Sequence, residues 1–470
     1  MVVGEVAEGV DLLVVGGGPG GYAAAIHGAQ LGRDVVLVER DGQAGLGGTC
    51  VRVGCIPSKA LIELADRYHR TNTWAAKGLT VNGARVDLPR FQSWKTDLVA
   101  GLSRGVDRLL RQQHVRIVRG IVTLNKPNRA VVDTEDGNVT FFEFRSAIVA
   151  TGSAPLGLAE LPRDGEIVLD SSDALSLTEV PTHLVVVGAG YIGVEIGTAF
   201  AKMGSRVTVV EALDRPLPTM EPALGRAVLR SLRALGIDVL LGSKVVGRRT
   251  VGIVVRTGEE ERVVSADQIV VAIGRRPMTR EVGIETTGAH LDERGMVVVN
   301  RSRLASKNVA AIGDVTPGPA LAHKATAEAE VAAMSVSGKA ARFEPGAIPA
   351  VVFSDPEIAS VGMTEQEARS IGMDVRVAMF PLSASGRAAI LGNKYGFARL
   401  VVDRLSDSVV GAHLAGPHVS EIAGELALAI EMGASPEDLA GTIHPHPTIS
   451  ESVHEAALLA VGRPLHVTSV

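Results

Sequence analysis

One unit, repeated, constrains this chain more than anything else in it. "DLLVVGGGPGGYAAAIHGAQLGRDVVLVE" runs from Asp11 to Glu39 and "HLVVVGAGYIGVEIGTAFAKMGSRVTVVE" from His183 to Glu211, so that every matching position is 172 residues apart. Each copy reads as an apolar strand, a glycine turn, a helix rich in small residues and a second apolar strand ending in an acid. Gly16, Gly18 and Gly21 in the first copy, and Gly188, Gly190 and Gly193 in the second, form G-x-G-x-x-G at the strand-to-helix turn. There the missing side chains let backbone N–H groups and the helix N-terminus approach a pyrophosphate. Glu39 and Glu211 each follow the last glycine by 18 residues, where a carboxylate accepts a ribose hydroxyl. A glycine triplet alone is common; the complete unit, twice, implies an α/β chain with two Rossmann-like dinucleotide sites. Glu211 would hydrogen-bond a free 2′-hydroxyl and repel a 2′-phosphate, which favours NAD over NADP at the second site. Arg206 and Arg215 lie near enough in sequence to weaken that preference if they face the site.

The rest of the chain is organised around these two units. At 470 residues about three domains of ~150 residues are expected. "AIVATGSAP" (Ala147–Pro155) and "IVVAIGRRP" (Ile269–Pro277) each end an apolar run in Gly and Pro, as where a backbone leaves a sheet to cross between domains. They bracket the second unit. "NVAAIGDV" puts Asp314 just past a strand, as a turn residue or as a ligand for a polyol or ribose hydroxyl. After Gly346 the pattern becomes an α+β tail.

Lys and Arg number 47 against 52 Asp and Glu, and aromatics make up 3%, so neither charge nor base-stacking platforms point to nucleic acid or an anionic membrane. No run of ~18 apolar residues suggests a membrane span. No Lys or Arg precedes Arg33, and Glu5, Glu8 and Asp11 make the start acidic, unlike a signal or transit peptide. A cytoplasmic protein is expected. In that reducing compartment the chain's two cysteines, Cys50 and Cys55 of "GGTCVRVGCIPSK" (Gly47–Lys59), need an explanation. They are too few for a Cys-rich zinc site, and no His stands nearby at ligand spacing, so no metal is expected. Two unrelated buried thiols and a pair cycling between dithiol and disulfide both remain open.

Taken in order, "GGTCVRVGCIPSK", "AIVATGSAP", "GAGYIGVE", "AAIGDV" with "PALAHKA", "FSDPEIASVGMT" and "HPHPTISE" resemble the pyridine nucleotide-disulfide oxidoreductases, over Asp11 to about Pro464. Within that family the match is nearest to members that oxidise protein-bound dihydrolipoyl groups. The resemblance implies an FAD-binding domain in residues 1–152 continued by a central part in 276–346, an NAD-binding domain in 153–275, and a C-terminal dimerisation domain in 347–470. It implies a redox-active disulfide in which Cys50 exchanges with substrate and Cys55 faces the flavin. Pro57 suits the first turn of a helix whose positive end stabilises a thiolate. Lys59 would pair with Glu195 beside the flavin; the plain alternatives are a surface pair of Lys59 with Glu63 and a solvated helical Glu195. Asp314 would touch the ribityl chain, and Thr151, Gly152, Gly274 and Ala322 of the matching motifs would also line cofactor sites.

In "HPHPTISESVHEAAL" a helix is expected to start near Thr448, with Thr448 and Glu451 as a capping box. A His just before that helix, oriented by a carboxylate, would serve as acid and base on the dithiol. The pattern does not choose between His444 and His446. The resemblance selects His446 with Glu451, supplied from the partner subunit of a homodimer. The implied reaction takes two electrons from a dihydrolipoyl group through Cys50 and Cys55 to FAD and on to NAD+. With only ten residues ahead of the first strand, the lipoyl arm is expected from another chain, a subunit of a 2-oxo acid dehydrogenase or glycine-cleavage complex.

This sequence also departs from the family pattern. Val51-Arg52 stands where Leu-Asn is common, and Arg52 is expected to lower a neighbouring thiol pKa. "GRRPM" lacks the Asn usual after Pro277, and Ser385 replaces an Asn. Glutathione-type reductases would want basic residues in place of Glu211, and mercuric reductases a further cysteine pair. A disulfide reductase for another small disulfide and a non-catalytic NADH-sensing flavoprotein are the competing functions. A sensor needs no dithiol acid–base group.

Overall fold

The computed structural model describes residues 7–134, 137–392 and 395–468. The chain forms two compact units, one of Met1–Ala60, Asp87–Leu156 and Arg275–Glu344, the other of Leu61–Val86, Gly157–Gly274 and Pro345–Val470.

The first unit is built on a seven-stranded sheet. Strands Arg116–Arg119, Val35–Glu39, Glu8–Val15 and Val139–Val149 lie side by side, and Val309–Ala311 also pairs with Val139–Val149. These five strands are parallel, and Arg129–Asp133 and Ile121–Lys126 extend the other half of Val139–Val149 in an antiparallel meander. A parallel sheet is covered on both faces, so its strands are apolar at every position. Leu12 and Val14 accordingly pack on one side with Ala23, Ala24, Val106, Leu110 and Ala329, while Leu13 and Val15 pack on the other with Val122, Phe142 and Val282. Side chains such as Leu12 and Leu13 have no exposed surface, each worth about 1.5–3 kcal/mol of burial. The small residues of helix Pro19–Gln30 let helix Ala322–Val336 approach closely: a Cβ on Gly20 would lie 3.3 Å from that of Ala325. The first strand starts at Glu8 rather than Asp11, because Glu8 and Gly9 still find backbone partners in Phe142 and Glu143 although they bury little.

The second unit repeats the parallel design with Asp238–Leu240, Arg206–Val210, His183–Val187, Gln268–Val271 and Val168–Leu169 in that spatial order. A three-stranded antiparallel sheet, Ser243–Arg249, Gly252–Thr257 and Glu260–Ser265, packs beside it. The tail supplies a five-stranded antiparallel sheet in the order Ala350–Val352, Glu357–Gly362, Val409–Gly416, Phe397–Asp403, Val375–Pro381. Helices Val419–Glu431 and Glu451–Ala460 bury Leu426, Val453 and Ala457 against that sheet's Leu400 and Leu414. Two Rossmann-like folds and an α+β C-terminal part are thus present as the sequence implies.

Candidate functional site

Both glycine turns have the shape a dinucleotide needs. Gly16 and Gly188 have φ of +100° and +104°, and a Cβ on either would lie 2.5 Å from a carbonyl oxygen, that of Ala150 or Ala272. A Cβ on Gly21 would stand 1.8 Å from the Gly16 oxygen, and one on Gly193 1.9 Å from that of Gly188. These positions exclude any side chain. The middle glycines differ: nothing lies within 4 Å of a Cβ on Gly190, and only Gly48, at 3.9 Å, near one on Gly18. Open space at the middle glycine, with Gly18 and Gly190 as helix N-caps that offer no side chain to the first-turn N–H groups, fits a phosphate.

The two acids also match. Glu39 accepts a hydrogen bond from the Gly17 N–H at 2.5 Å and Glu211 one from the Ala189 N–H at 2.6 Å, so each carboxylate reaches across to its own turn. Burial pushes the Glu39 carboxyl above its usual range, against the N–H bonds from Gly17 and Asp41. Arg206 starts the strand Arg206–Val210 that Glu211 follows, about 16 Å away at ~3.3 Å per residue. Arg215 donates to the Pro218 carbonyl of its own loop at 3.0 Å.

The dithiol loop is tied to the first turn. The Gly47 N–H donates to the Gly17 carbonyl at 2.9 Å, and a Cβ on Gly48 would meet the Gly18 Cα at 2.6 Å. Cys50 sits in the short helix Gly48–Arg52 and Cys55 opens helix Cys55–Thr73, with Pro57 in its first turn. Both are free thiols, Cys50 partly buried and Cys55 exposed. Their hydrogen bond, then burial, then the charge of Cys55 raise the Cys50 pKa, while Lys59 pulls it down. Cys55 and burial thus favour the protonated form of Cys50, and Cys55 itself stands at a helix N-terminus, where a thiolate is favoured. Arg52 has a carboxylate partner. Its guanidinium donates to Asp41 at 3.0 Å, where it helps hold down the Glu39 pKa, and the cation acting on Cys50 is Lys59. Lys59 donates to Ser58 Oγ at 3.2 Å, and Glu63 is held by Arg67 at 2.7 Å.

Glu195 is 3% exposed and accepts the Phe353 N–H at 3.0 Å, which removes the reading of a solvated helical Glu. Asp314 lies in the turn after Val309–Ala311 and accepts the Ser153 hydroxyl proton at 2.5 Å. Strand Ser153–Pro155 pairs with Arg275–Pro277 as a two-stranded ribbon, and Thr151 Oγ1 donates to the Met278 carbonyl at 2.5 Å. Gly152 and Gly274, each just before one of these two strands, take φ of +74° and +137°. Ala322 is the first residue of helix Ala322–Val336, whose N-cap Leu321 offers no side-chain bond. Ser153 and Arg275 were not singled out from sequence, since nothing local marks their partners.

The two histidines of "HPHP" separate clearly. The His444 side chain is only 5% exposed, with Nε2 2.9 Å from Glu425 Oε1 and Nδ1 3.0 Å from the Thr442 carbonyl. His446 is 82% exposed, with Nδ1 2.8 Å from Glu451 Oε1. The helix begins at Glu451, not Thr448. Thr448 Oγ1 donates back to the Pro445 carbonyl at 2.7 Å instead of capping, while Glu451 Oε2 accepts the Thr448 N–H at 2.8 Å. Burial opposes ionisation of Glu451, but the Thr448 N–H, the His446 bond and the nearby charges of His446 and His466 outweigh it and hold its pKa below the usual range.

Residues 10–329 match the sequence profile of the pyridine nucleotide-disulphide oxidoreductases, and 348–457 match that family's dimerisation domain. The chain belongs to this family. Among its oxidoreductase relatives, dihydrolipoyl dehydrogenase 2 of Haloarcula marismortui is 46% identical over 474 residues, 99% of this chain and 100% of that protein. Dihydrolipoyl dehydrogenase of Geobacillus stearothermophilus is 43% identical over 99% of each chain. Solved structures with the same fold include LpdA from Mycobacterium tuberculosis, with a TM-score of 0.87 and 27% identity over 96% of this chain and 100% of that one. The HOCl-induced flavoprotein disulfide reductase RclA from Escherichia coli follows at 0.83 and 26%, over 96% and 99%. No helix among the described residues is long and apolar enough to cross a membrane.

Proposed function

We infer that this enzyme oxidises dihydrolipoyl groups to lipoyl groups and reduces NAD+ to NADH. The observation that carries the reading is the Cys50–Cys55 pair: two hydrogen-bonded thiols, one proton-holding and one at a helix N-terminus, next to a glycine turn shaped for a dinucleotide. The first turn would hold FAD, with Glu39 placed for its ribose, and the second would hold NAD, with Glu211 in the same role. When bound, FAD supplies a two-electron link between a dithiol and a nicotinamide.

The chain's own residues handle the sulfur chemistry. With Cys50 and Cys55 as a disulfide, His446 Nε2 takes a proton from one dihydrolipoyl thiol, and the resulting thiolate attacks Cys50. The Cys50–Cys55 bond breaks, a mixed disulfide forms on Cys50, and Cys55 leaves as thiolate. The second substrate thiol then displaces Cys50, its own proton passing to His446 as His446 returns the first to the leaving Cys50 sulfur, and the substrate departs as its cyclic disulfide with His446 left protonated beside the Cys55 thiolate. Two electrons remain on the Cys50–Cys55 pair. Glu451 keeps the proton on His446 Nδ1 and stabilises the imidazolium between the two steps.

In this reading Lys59 and Glu195 would both serve the flavin, Asp314, Thr151, Gly152 and Ala322 would contact FAD, and Gly274 would line the NAD site. The domains follow as 1–152 with 276–346 for FAD, 153–275 for NAD and 347–470 for dimerisation. The enzyme works as a cytoplasmic homodimer in which the partner subunit's His446 and Glu451 complete each dithiol site, and its substrate arm belongs to a lipoyl-bearing subunit of a 2-oxo acid dehydrogenase or glycine-cleavage complex. Thiol counting tests the chemistry. The oxidised protein, denatured, should show no titratable thiol, and protein pretreated anaerobically with dihydrolipoamide and freed of it should show two, the whole cysteine content of the chain. Two thiols before treatment, unchanged by mild oxidation, would overturn the reading.

A further inference from the structure

We propose that Arg275 and Ser153 are positioning residues: a hydrogen-bond relay from Arg275 through Ser153 orients the Asp314 carboxylate for the polyol chain of the flavin. The proposal rests on the flavin reading above. It follows from the donor and acceptor inventory at three residues that lie far apart in sequence.

Arg275 Nε donates to Ser153 Oγ at 2.7 Å, and its NH2 group donates to the Ser153 carbonyl at 2.6 Å. A guanidinium only donates, and a serine hydroxyl has one proton. With the Arg275 Nε–H on its lone pair, Ser153 sends that proton to Asp314 Oδ2, 2.5 Å away. The order Arg275, Ser153, Asp314 is therefore directional, and the cation at one end strengthens the bond to the anion at the other. An ionised carboxylate accepts only. Holding Oδ2 fixes the plane of the group and leaves Oδ1 to accept from ligand hydroxyls.

The relay is held from both sides without depending on itself. Its two strands are closed by the ribbon pairs Arg275 with Pro155 and Pro277 with Ser153 and by the Met278 N–H on the Gly152 carbonyl at 2.9 Å. The backbone of the Asp314 turn is secured from the opposite, buried side. Glu328, 0% exposed, accepts the Gly313 N–H at 2.7 Å, and Lys324 donates to the Gly313 carbonyl at 3.0 Å. Glu328 and Lys324 thus fix the turn, and Ser153 and Arg275 fix the side chain. Loss of the relay should leave the turn folded and the carboxylate free to rotate.

The test is the rate of FAD release from the holoprotein, followed by recovery of free-flavin fluorescence, in the wild type, Ser153→Ala, Arg275→Met, the double variant and Ser153→Thr. A bond to a charged group of this kind predicts a rise of about ten- to a hundredfold for each single change. Because Arg275 acts through Ser153, the double variant should release FAD no faster than the worse single, and Ser153→Thr, which keeps the hydroxyl, should stay near wild type. Melting of the apoproteins should be alike. Independent, multiplying effects in the double variant, or single variants that hold FAD as the wild type does, would overturn the relay while leaving the flavin reading intact. A wild-type protein that takes up no FAD would overturn both.

Discussion

His446 and Glu451 meet through a single bond of 2.8 Å between Nδ1 and Oε1, on a ring that is 82% exposed. The carboxylate assigns the tautomer, with the proton on Nδ1 and a lone pair on Nε2. A base so prepared predicts that His446→Gln lowers the turnover of dihydrolipoamide by about 10²- to 10⁴-fold. Glu451→Gln, which keeps the shape and loses the charge, should cost less than His446→Gln. Steady-state kcat of the two variants checks the order, and equal turnover in His446→Gln and wild type would remove His446 from the chemistry.

Acid stability should carry the mark of Glu451. Its folded pKa lies below the ordinary value of 4.5, so the unfolded chain binds the proton more readily. The stabilisation is complete above 4.5 and disappears as the pH falls below it through the folded value. Chemical denaturation from pH 6 down to about 3 should show a steeper loss for wild type than for Glu451→Gln. Parallel curves would contradict the assignment.

The dithiol makes its own prediction. Cys55 is the leading cause of the raised Cys50 pKa, so Cys55→Ser should let Cys50 ionise at lower pH. Because the variant keeps a single cysteine, its alkylation rate against pH reports Cys50 alone. The wild-type dithiol loses its protons in two steps that belong to the pair, and the lone Cys50 should titrate below the second.

Arg52 and Lys59 should behave oppositely. Arg52 is engaged by Asp41 in a pair that is 33% and 45% exposed, so Arg52→Asn should leave the thiol titration in place and change stability by no more than about 1 kcal/mol. Lys59→Met removes the charge that lowers the Cys50 pKa, and thiol alkylation should need higher pH. A shift in Arg52→Asn alone would restore the role its sequence position suggests.

Glu211 should set the nucleotide preference. Wild type should use NADP+ far less well than NAD+, and Glu211→Ala should narrow that ratio by weakening NAD+ more than NADP+. The same change frees the N–H groups of Ala189 and Leu213 that Glu211 accepts at 2.6 and 2.8 Å, at a cost of about 1–3 kcal/mol in stability. Ratios of kcat/KM for the two nucleotides and a melting curve measure both effects.

Which of these features were legible in the sequence depends on how local their physics is. The glycine turns were, because the clash of Gly21 with the Gly16 carbonyl and that of Gly193 with Gly188 arise within one turn. The acids 18 residues on were legible as the end of the next strand. The capping box at Thr448 was a local pattern overruled by a local competitor, the Pro445 carbonyl that takes the Thr448 hydroxyl. The pairing of Arg52 with Asp41 was not legible, because adjacency to both cysteines draws the eye from an acid 11 residues back. His444 and His446 share one dipeptide context, and only tertiary burial against Glu425 tells them apart. Ser153, 161 residues from Asp314 and 122 from Arg275, meets them only through the pairing of two strands that no local periodicity announces.

The central claim is tested most directly by mixing the FAD-bound protein with dihydrolipoamide and NAD+ and following NADH. The account predicts rapid NADH formation that disappears in Cys50→Ser and is weak with NADP+. Absence of turnover in a protein that holds FAD and is reduced by NADH would contradict it, and would mean that this dithiol serves a different disulfide.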